Sequence, residues 1–349
     1  MQLQQLWEAS RIDDVLRTVD DVIAVCEREF APRGAELGHL HTVKMNALGE
    51  AGRVAEARAH FGAVLPGFVA AGKHAGDAVP QLRTAMAGTL ARYGDIAGAW
   101  EQYKLALAQR QKGRWSLRAF AAEVNVAGSL ALAGGYAQAE AWLRALAGEL
   151  LSVRDLAERM EADAALRTNL SFALIGLGRF AEAEENARLA AEAFASLEGP
   201  MGDSTRAARG NLASALVELG RAVEAERESR ALIGWHEAYG RQDMPGVATL
   251  RTTLGRALAA QGRLDDAVAE LRAAVDLGCA TQGPSGWRTV QAVVALADLH
   301  TRMDDWAEAR TLLETAVREG DATGRQDNPW LPIARARLAA VTEGLNRNM

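Results

Sequence analysis

One short segment recurs along the whole chain and restricts what the chain can become. The copies SRIDDV, GRVAEA, GDIAGA, GGYAQA, GRFAEA, GRAVEA, GRLDDA and DDWAEA begin at residues 10, 52, 94, 134, 178, 220, 262 and 304. Successive spacings are 42, 42, 40, 44, 42, 42 and 42 residues. So regular a period means stacked copies of one unit, none of which can bury its apolar face alone. Five residues after each start stand Val15, Ala57, Ala99, Ala139, Ala183, Ala225, Ala267 and Ala309. Four residues before it stand Leu48, Leu90, Leu130, Leu174, Leu216 and Leu258, with His300 in the last copy, and Leu170, Leu212, Leu254 and Leu296 lie four further back.

Leu pairs at i, i+4 draw an apolar stripe on a helix, and the Gly that opens most copies suits a left-handed helix end. The Ala five residues on then falls near the start of a second helix, where its small side chain lets the two axes approach. Each unit therefore reads as a helix-turn-helix hairpin. Pro32, Pro80, Pro200, Pro245 and Pro284 fall in the loops or first turns that launch the next hairpin, where a missing N–H does no harm. Pro329 and Pro332 do the same for a last, unpaired helix over 332–346, a polar cap on the array. Pro66 breaks the rule, because it sits inside an expected second helix and predicts a kink or break there.

Composition agrees with an all-helical chain: 49% of residues are hydrophobic but only 5% aromatic, the remainder leaning on Ala and Leu. A net charge of -6 argues against a chain built to hold nucleic acid or an anionic membrane. Cys26 and Cys279 match no metal or redox spacing, and the opening MQLQQLWEASRIDDV has neither a basic nor an apolar signal region. A cytoplasmic location is expected, with one continuous solenoid over 1–349. Only nine residues precede the first copy, which suggests a frayed start or a piece cut from a larger regulator.

The Leu-rich first helix, the turn and the Ala, in segments such as NLSFALIGLGRFAEAEE (169–185), NLASALVELGRAVEAER (211–227) and TLRTTLGRALAAQGRLDDAVAEL (249–271), resemble tetratricopeptide repeats. The period exceeds the usual 34 residues by enough to lengthen each helix by about one turn. In this the chain resembles the kinesin-light-chain subtype found in bacterial regulators. The resemblance implies a right-handed superhelix of about eight antiparallel helix pairs plus the C-terminal helix. It also implies that the first helix of each pair lines the concave face, with ligand contacts nine and six residues before the repeat start.

The first of those places holds Asn125, Asn169 and Asn211, followed by Thr253; the second holds Asn46, Phe172, Ser214, Arg256 and Asp298. Thr168 adjoins the first. A ladder of amides offers donors and acceptors to an extended peptide backbone whatever its side chains. The competing role for these Asn residues is bonding to neighbouring helices. Arg83, Arg167, Arg209, Arg251 and Arg335 form a second series eleven residues before each start, about 200° away around the helix, so they cannot share the Asn face. An inter-helix ladder with carboxylates is expected of them, and acids recur four after the start at Asp14, Glu56, Glu182, Glu224, Asp266 and Glu308.

Lys104, Arg110, Lys112, Arg114 and Arg118 bring five positive charges with no acid among them, beside Trp115. They constitute either an anion patch at one entrance of the groove or a solvated loop. No catalytic, metal or cofactor motif is present: HExxH, GxxxxGK[ST], GxGxxG and GxSxG are all missing, and His39 and His41 point two ways on a helix. The primary expectation is a non-enzymatic scaffold that binds a protein or peptide partner. Two alternatives stay open: the ligand- or pheromone-sensing part of a bacterial regulator, and a specialised-metabolism enzyme whose pocket involves His39, His41 or His300.

Overall fold

The computed structural model describes residues 12–29, 34–51, 53–92, 95–109, 117–150, 155–323 and 328–348, and every regular element among them is helical. The chain packs as two compact units, Met1–Glu149 and Leu150–Met349. In the first, α1 (Ile12–Glu29) precedes three hairpins: α2 (Ala35–Glu50) with α3 (Val54–Ala71), α4 (Ala78–Arg92) with α5 (Ile96–Gln109), and α6 (Leu117–Leu132) with α7 (Tyr136–Glu149). The second has four: α8 (Leu156–Gly176) with α9 (Phe180–Glu198), α10 (Asp203–Glu218) with α11 (Ala222–Ala238), α12 (Pro245–Ala260) with α13 (Leu264–Gln282), and α14 (Trp287–Arg302) with α15 (Trp306–Ala322). The single helix α16 (Leu331–Asn348) closes it. This is an α-solenoid of antiparallel helix pairs. Helices of 16 to 21 residues in the hairpins of the second unit account for the long period.

The repeat chemistry acts where the period places it. Gly134, Gly178, Gly220 and Gly262 turn the chain at φ 72 to 89°, and in the last copy Asp304 takes the same left-handed conformation at φ 60°. The Ala or Val five residues after each start is fully buried in all eight copies. Leu48, Leu90, Leu130, Leu174, Leu216 and Leu258 are buried on the facing helix, each worth about 2–5 kcal/mol against Ala. Pro80, Pro200, Pro245, Pro284, Pro329 and Pro332 lie in turns or first helical turns. Pro66 does not break its helix: α3 continues to Ala71 and ends only at Gly72. The carbonyl facing the proline ring belongs to Gly62, which is the freest residue to tilt.

Within each unit the first helices of successive hairpins pack on one another, forming an inner layer, while the second helices pack chiefly on the first helices. The two helices of one hairpin share a constant lateral contact between residues 19 apart. Arg83 donates to Gln102 at 2.9 Å, Arg167 to Asn186 at 3.1 Å, Arg209 to Glu228 at 2.8 Å and Arg251 to Glu270 at 2.7 Å. The arginine series thus does tie helices together, but its partners stand eight residues after the repeat start and not four. The acids four after the start serve another residue: Arg53, Arg179, Arg221 and Arg263, each opening a second helix, bond to Glu56, Glu182, Glu224 and Asp266 one turn on. Arg221 and Arg263 also reach back to Glu184 and Glu226 of the preceding hairpin at 3.0 and 2.8 Å. Arg53 and Arg221 hold the Glu56 and Glu224 carboxyls below their usual range, and hydrogen bonds from Arg230, then Gln261 and Arg263, do the same for Glu226. Arg335 pairs with Asp321, also in the preceding hairpin.

Candidate functional site

On α14 the residues Trp287, Arg288, Gln291 and Asp298 fall within about 100° of arc, a stripe that continues the face carrying the expected contact places. Its first member reaches a distant neighbour. The Trp287 ring meets Phe172 of α8 edge-on, with centroids 6.4 Å apart, although two whole hairpins intervene between these helices. The inner layer of the second unit is therefore where side chains from well-separated repeats converge.

The amides behave differently from one another. Asn211 donates through Nδ2 to the Thr168 carbonyl at 2.9 Å and to Ser171 Oγ at 3.0 Å, joining α10 to α8. Asn169 donates to the Ala165 carbonyl of its own helix at 3.1 Å, and Thr168 Oγ1 to that of Ala164 at 2.9 Å. Both Asn residues are half-buried. Ser214 Oγ lies 3.3 Å from Thr253 Oγ1, joining α10 to α12, and Thr253 is buried. Of the series nine residues before the start, Asn211 and Thr253 thus sit at the seam between neighbouring first helices. In the series six before it, Ser214 reaches that seam while two charged members find ionic partners. Arg256 pairs with Glu218 at 2.7 Å and Asp298 with Arg337 at 3.1 Å, while Phe172 and Ser214 stay half-buried. Burial raises the Asp298 carboxyl above its ordinary range, against the opposing pull of Arg337 and Arg256.

Asn46 and Asn125 are exposed on α2 and α6 of the first unit. Of the basic segment, Lys104 pairs with Glu101 at 2.6 Å; Arg110, Lys112, Arg114, Trp115 and the side chain of Arg118 lie outside the described residues, as do Pro32 and the repeat starts at 10, 52 and 94.

The histidines belong to the scaffold's own pattern. His41 Nδ1 and His60 Nε2 lie 3.1 Å apart and occupy the same 19-residue lateral contact as the Arg pairs. Burial, together with the nearby Lys44, brings the His60 pKa down to about 4. Beside this pair is a cavity of about 560 Å³ bounded by Asp13, Asp20, Lys44, Arg53 and Glu56. Its charges answer one another, Lys44 to Asp20 at 2.6 Å and Arg53 to Glu56 at 2.6 Å. His300 is buried with Nδ1 3.1 Å from Asp305, the residue that caps α15. Among the described residues no three His, Cys, Asp or Glu side chains converge as metal ligands, and no helix is long and apolar enough to cross a membrane. Cys26 and Cys279 are unpaired.

Trp287, Arg288, Gln291 and Thr249 were not among the places expected from the sequence. They stand one or two turns nearer the helix start on the same face, and stepping back by four from Ala295 and Thr253 reaches Gln291 and Thr249.

Residues 247–284, spanning α12 and α13, match the tetratricopeptide repeat family model. No curated protein matches the chain by sequence. Among solved structures, a Rap protein complexed with competence and sporulation factor superposes with a TM-score of 0.60 at 11% identity, over 90% of this chain and 87% of that one. A tetratricopeptide repeat protein from Parabacteroides merdae ATCC 43184 gives 0.55 at 15%, over 87% and 98%. NprR in complex with its cognate peptide NprX gives 0.55 at 15%, over 76% and 71%.

Proposed function

We propose, on the tetratricopeptide repeat match over 247–284 and the α-solenoid fold shared with tetratricopeptide repeat structures, that the inner layer of the second unit holds an extended peptide segment of a protein partner and performs no chemistry on it. The observation that carries this reading is the convergence of polar and aromatic side chains from four successive first helices, with Phe172 against Trp287 at one end. Asn211 spends both Nδ2 donors on a carbonyl and a hydroxyl of the scaffold, and Asn169 spends one on a carbonyl of its own helix. They therefore serve as acceptors for peptide N–H groups, while Phe172, Ser214, Arg256 and Asp298 set side-chain preference. Thr168 and Thr253 support them from the seam. NprR, which shares the fold, was solved with its cognate peptide, a likeness that bears on scaffold and not on sequence preference. Binding to a largely preformed surface places most of the affinity in a few central contacts.

The test is selection from a random peptide display library by the full chain and by an N169A/F172A variant that keeps its helical signal. Enrichment by the wild type alone supports the reading; equal enrichment by both, or by neither, removes it.

A sensing role is the second reading, favoured by the Phe172–Trp287 contact, which a ligand entering at that end must part. It predicts a change in compactness on peptide addition, measurable by small-angle scattering.

A further inference from the structure

Among the described residues of the inner stripe, one cation has no carboxylate partner. Arg209, Arg251, Arg256 and Arg337 of the second unit each hold a carboxylate within 3.1 Å. Arg288 makes no ion pair with any described residue. Its guanidinium lies over the Trp287 ring, 4.2 Å from the centroid, and its Nε is buried without a hydrogen-bond partner. Burial draws its pKa down from the usual value to about 10, so it remains charged at neutral pH. Two further buried atoms on this face are also unbonded: Gln291 Oε1, one turn along α14, and Thr249 Oγ1 at the equivalent place of α12. Desolvating a charge and two polar groups with no partner is unfavourable, and natural structures rarely leave such groups without a protein, water or ligand partner. Other unbonded buried atoms, such as Ser229 Oγ and His236 Nδ1 on α11 and His300 Nε2 near the end of α14, lie off this stripe, whereas these three share one face of the inner layer.

We propose that Arg288, seated on Trp287, receives a carboxylate of the bound peptide while Gln291 Oε1 accepts a neighbouring peptide N–H. This rests on the peptide reading above. The guanidinium fork matches a carboxylate through two parallel hydrogen bonds, and stacking on the indole fixes its plane for them. Gln291 Oε1 is an acceptor, so it cannot serve the anion and calls for an N–H beside it. Thr249 can donate or accept and suits either group. A peptide end carries both functions, a carboxylate and an N–H one residue unit apart; an acidic side chain with its own backbone N–H offers the same chemistry.

The experiment uses an array of short peptides in three forms: a free C-terminal carboxylate without Asp or Glu, a C-terminal amide with one Glu, and a C-terminal amide with neither. It is probed with the full-length wild type, R288Q and R288K. The wild type is expected to retain one of the carboxylate forms about tenfold better than the neutral form, and which of the two it retains identifies the source of the carboxylate. R288Q is expected to lose that preference and R288K to keep part of it. Peptide retention without preference, or with a preference unchanged in R288Q, overturns the carboxylate site and leaves the peptide reading standing. In parallel, sodium acetate is titrated against the ¹⁵N-labelled wild type, reading the arginine Nε–H resonance that R288K removes and using sodium chloride at equal ionic strength as the control. If no peptide form is retained but acetate shifts that resonance, the carboxylate site stands and the peptide reading falls. Silence in both assays overturns both. Should R288Q fail to fold, the wild-type array preference and the acetate titration decide the matter without it.

Discussion

Arg209 Nε donates to Glu228 Oε2 at 2.8 Å, and the same lateral contact, 19 residues apart, is filled by different chemistry in most of the other hairpins. It is His41 with His60, Arg83 with Gln102, Arg167 with Asn186 and Arg251 with Glu270. In the α6–α7 hairpin the order is reversed in kind, with Trp142 Nε1 donating to Glu123 at 3.4 Å. At the equivalent places of the last hairpin stand Val293 and Leu312. What the fold requires at this position is contact between the two helices, and any complementary pair supplies it.

The Arg209–Glu228 pair should accordingly be replaceable but not divisible. R209V or E228L alone strands a half-buried charge and is expected to cost about 1–3 kcal/mol in urea denaturation. The double variant, which copies the last hairpin, should recover most of that loss. Additive losses in the double variant would show that the charge itself is required.

Acid should weaken the first unit through the His pair. Burial keeps His60 neutral down to about pH 4 in the folded chain, whereas an unfolded histidine titrates near 6.5. Between these values the unfolded chain binds the extra proton, so the contribution is complete above about pH 6.5 and declines as the solution is acidified toward 4. Urea midpoints measured across that range should fall more steeply for the wild type than for H60Q. Parallel slopes would contradict the assignment.

Asp304, at φ 60°, occupies the position at which six other copies carry glycine. Replacing it with Gly should raise stability by about 0.5–1 kcal/mol and replacing it with Ala should lower it. Calorimetric melting of D304G and D304A distinguishes the two, and a less stable D304G would mean that the Asp side chain matters more than its backbone.

The helical hairpin was readable because its determinants repeat: Leu174, Gly178 and Ala183 recur in kind, and their period states the geometry directly. The lateral contact escaped notice because residue type changes there while spacing does not. His41 therefore looked like a candidate catalytic residue and the Arg series was matched to the wrong acids. The inner face was legible only in part. Family spacing points to Phe172, Arg256 and Asp298, which remain partly accessible, whereas Thr253 is drawn into the seam and Asn211 bonds across it. Trp287 and Arg288 could be found only by extending the stripe toward the helix start, and their meaning depends on Phe172, which no local pattern connects to them. Pro66 misled because its effect depends on how freely the carbonyl four residues earlier can move.

The central claim is that recognition resides on the inner layer of the second unit. The direct measurement is the calorimetric affinity of one display-selected peptide for the wild type, for F172A and N169A on that layer, and for V223S on the exposed face of a second helix, where Val223 is 69% accessible. F172A and N169A should each weaken binding by about tenfold and V223S should leave it unchanged. Undiminished binding by both inner variants, or an equal loss in V223S, would contradict the account.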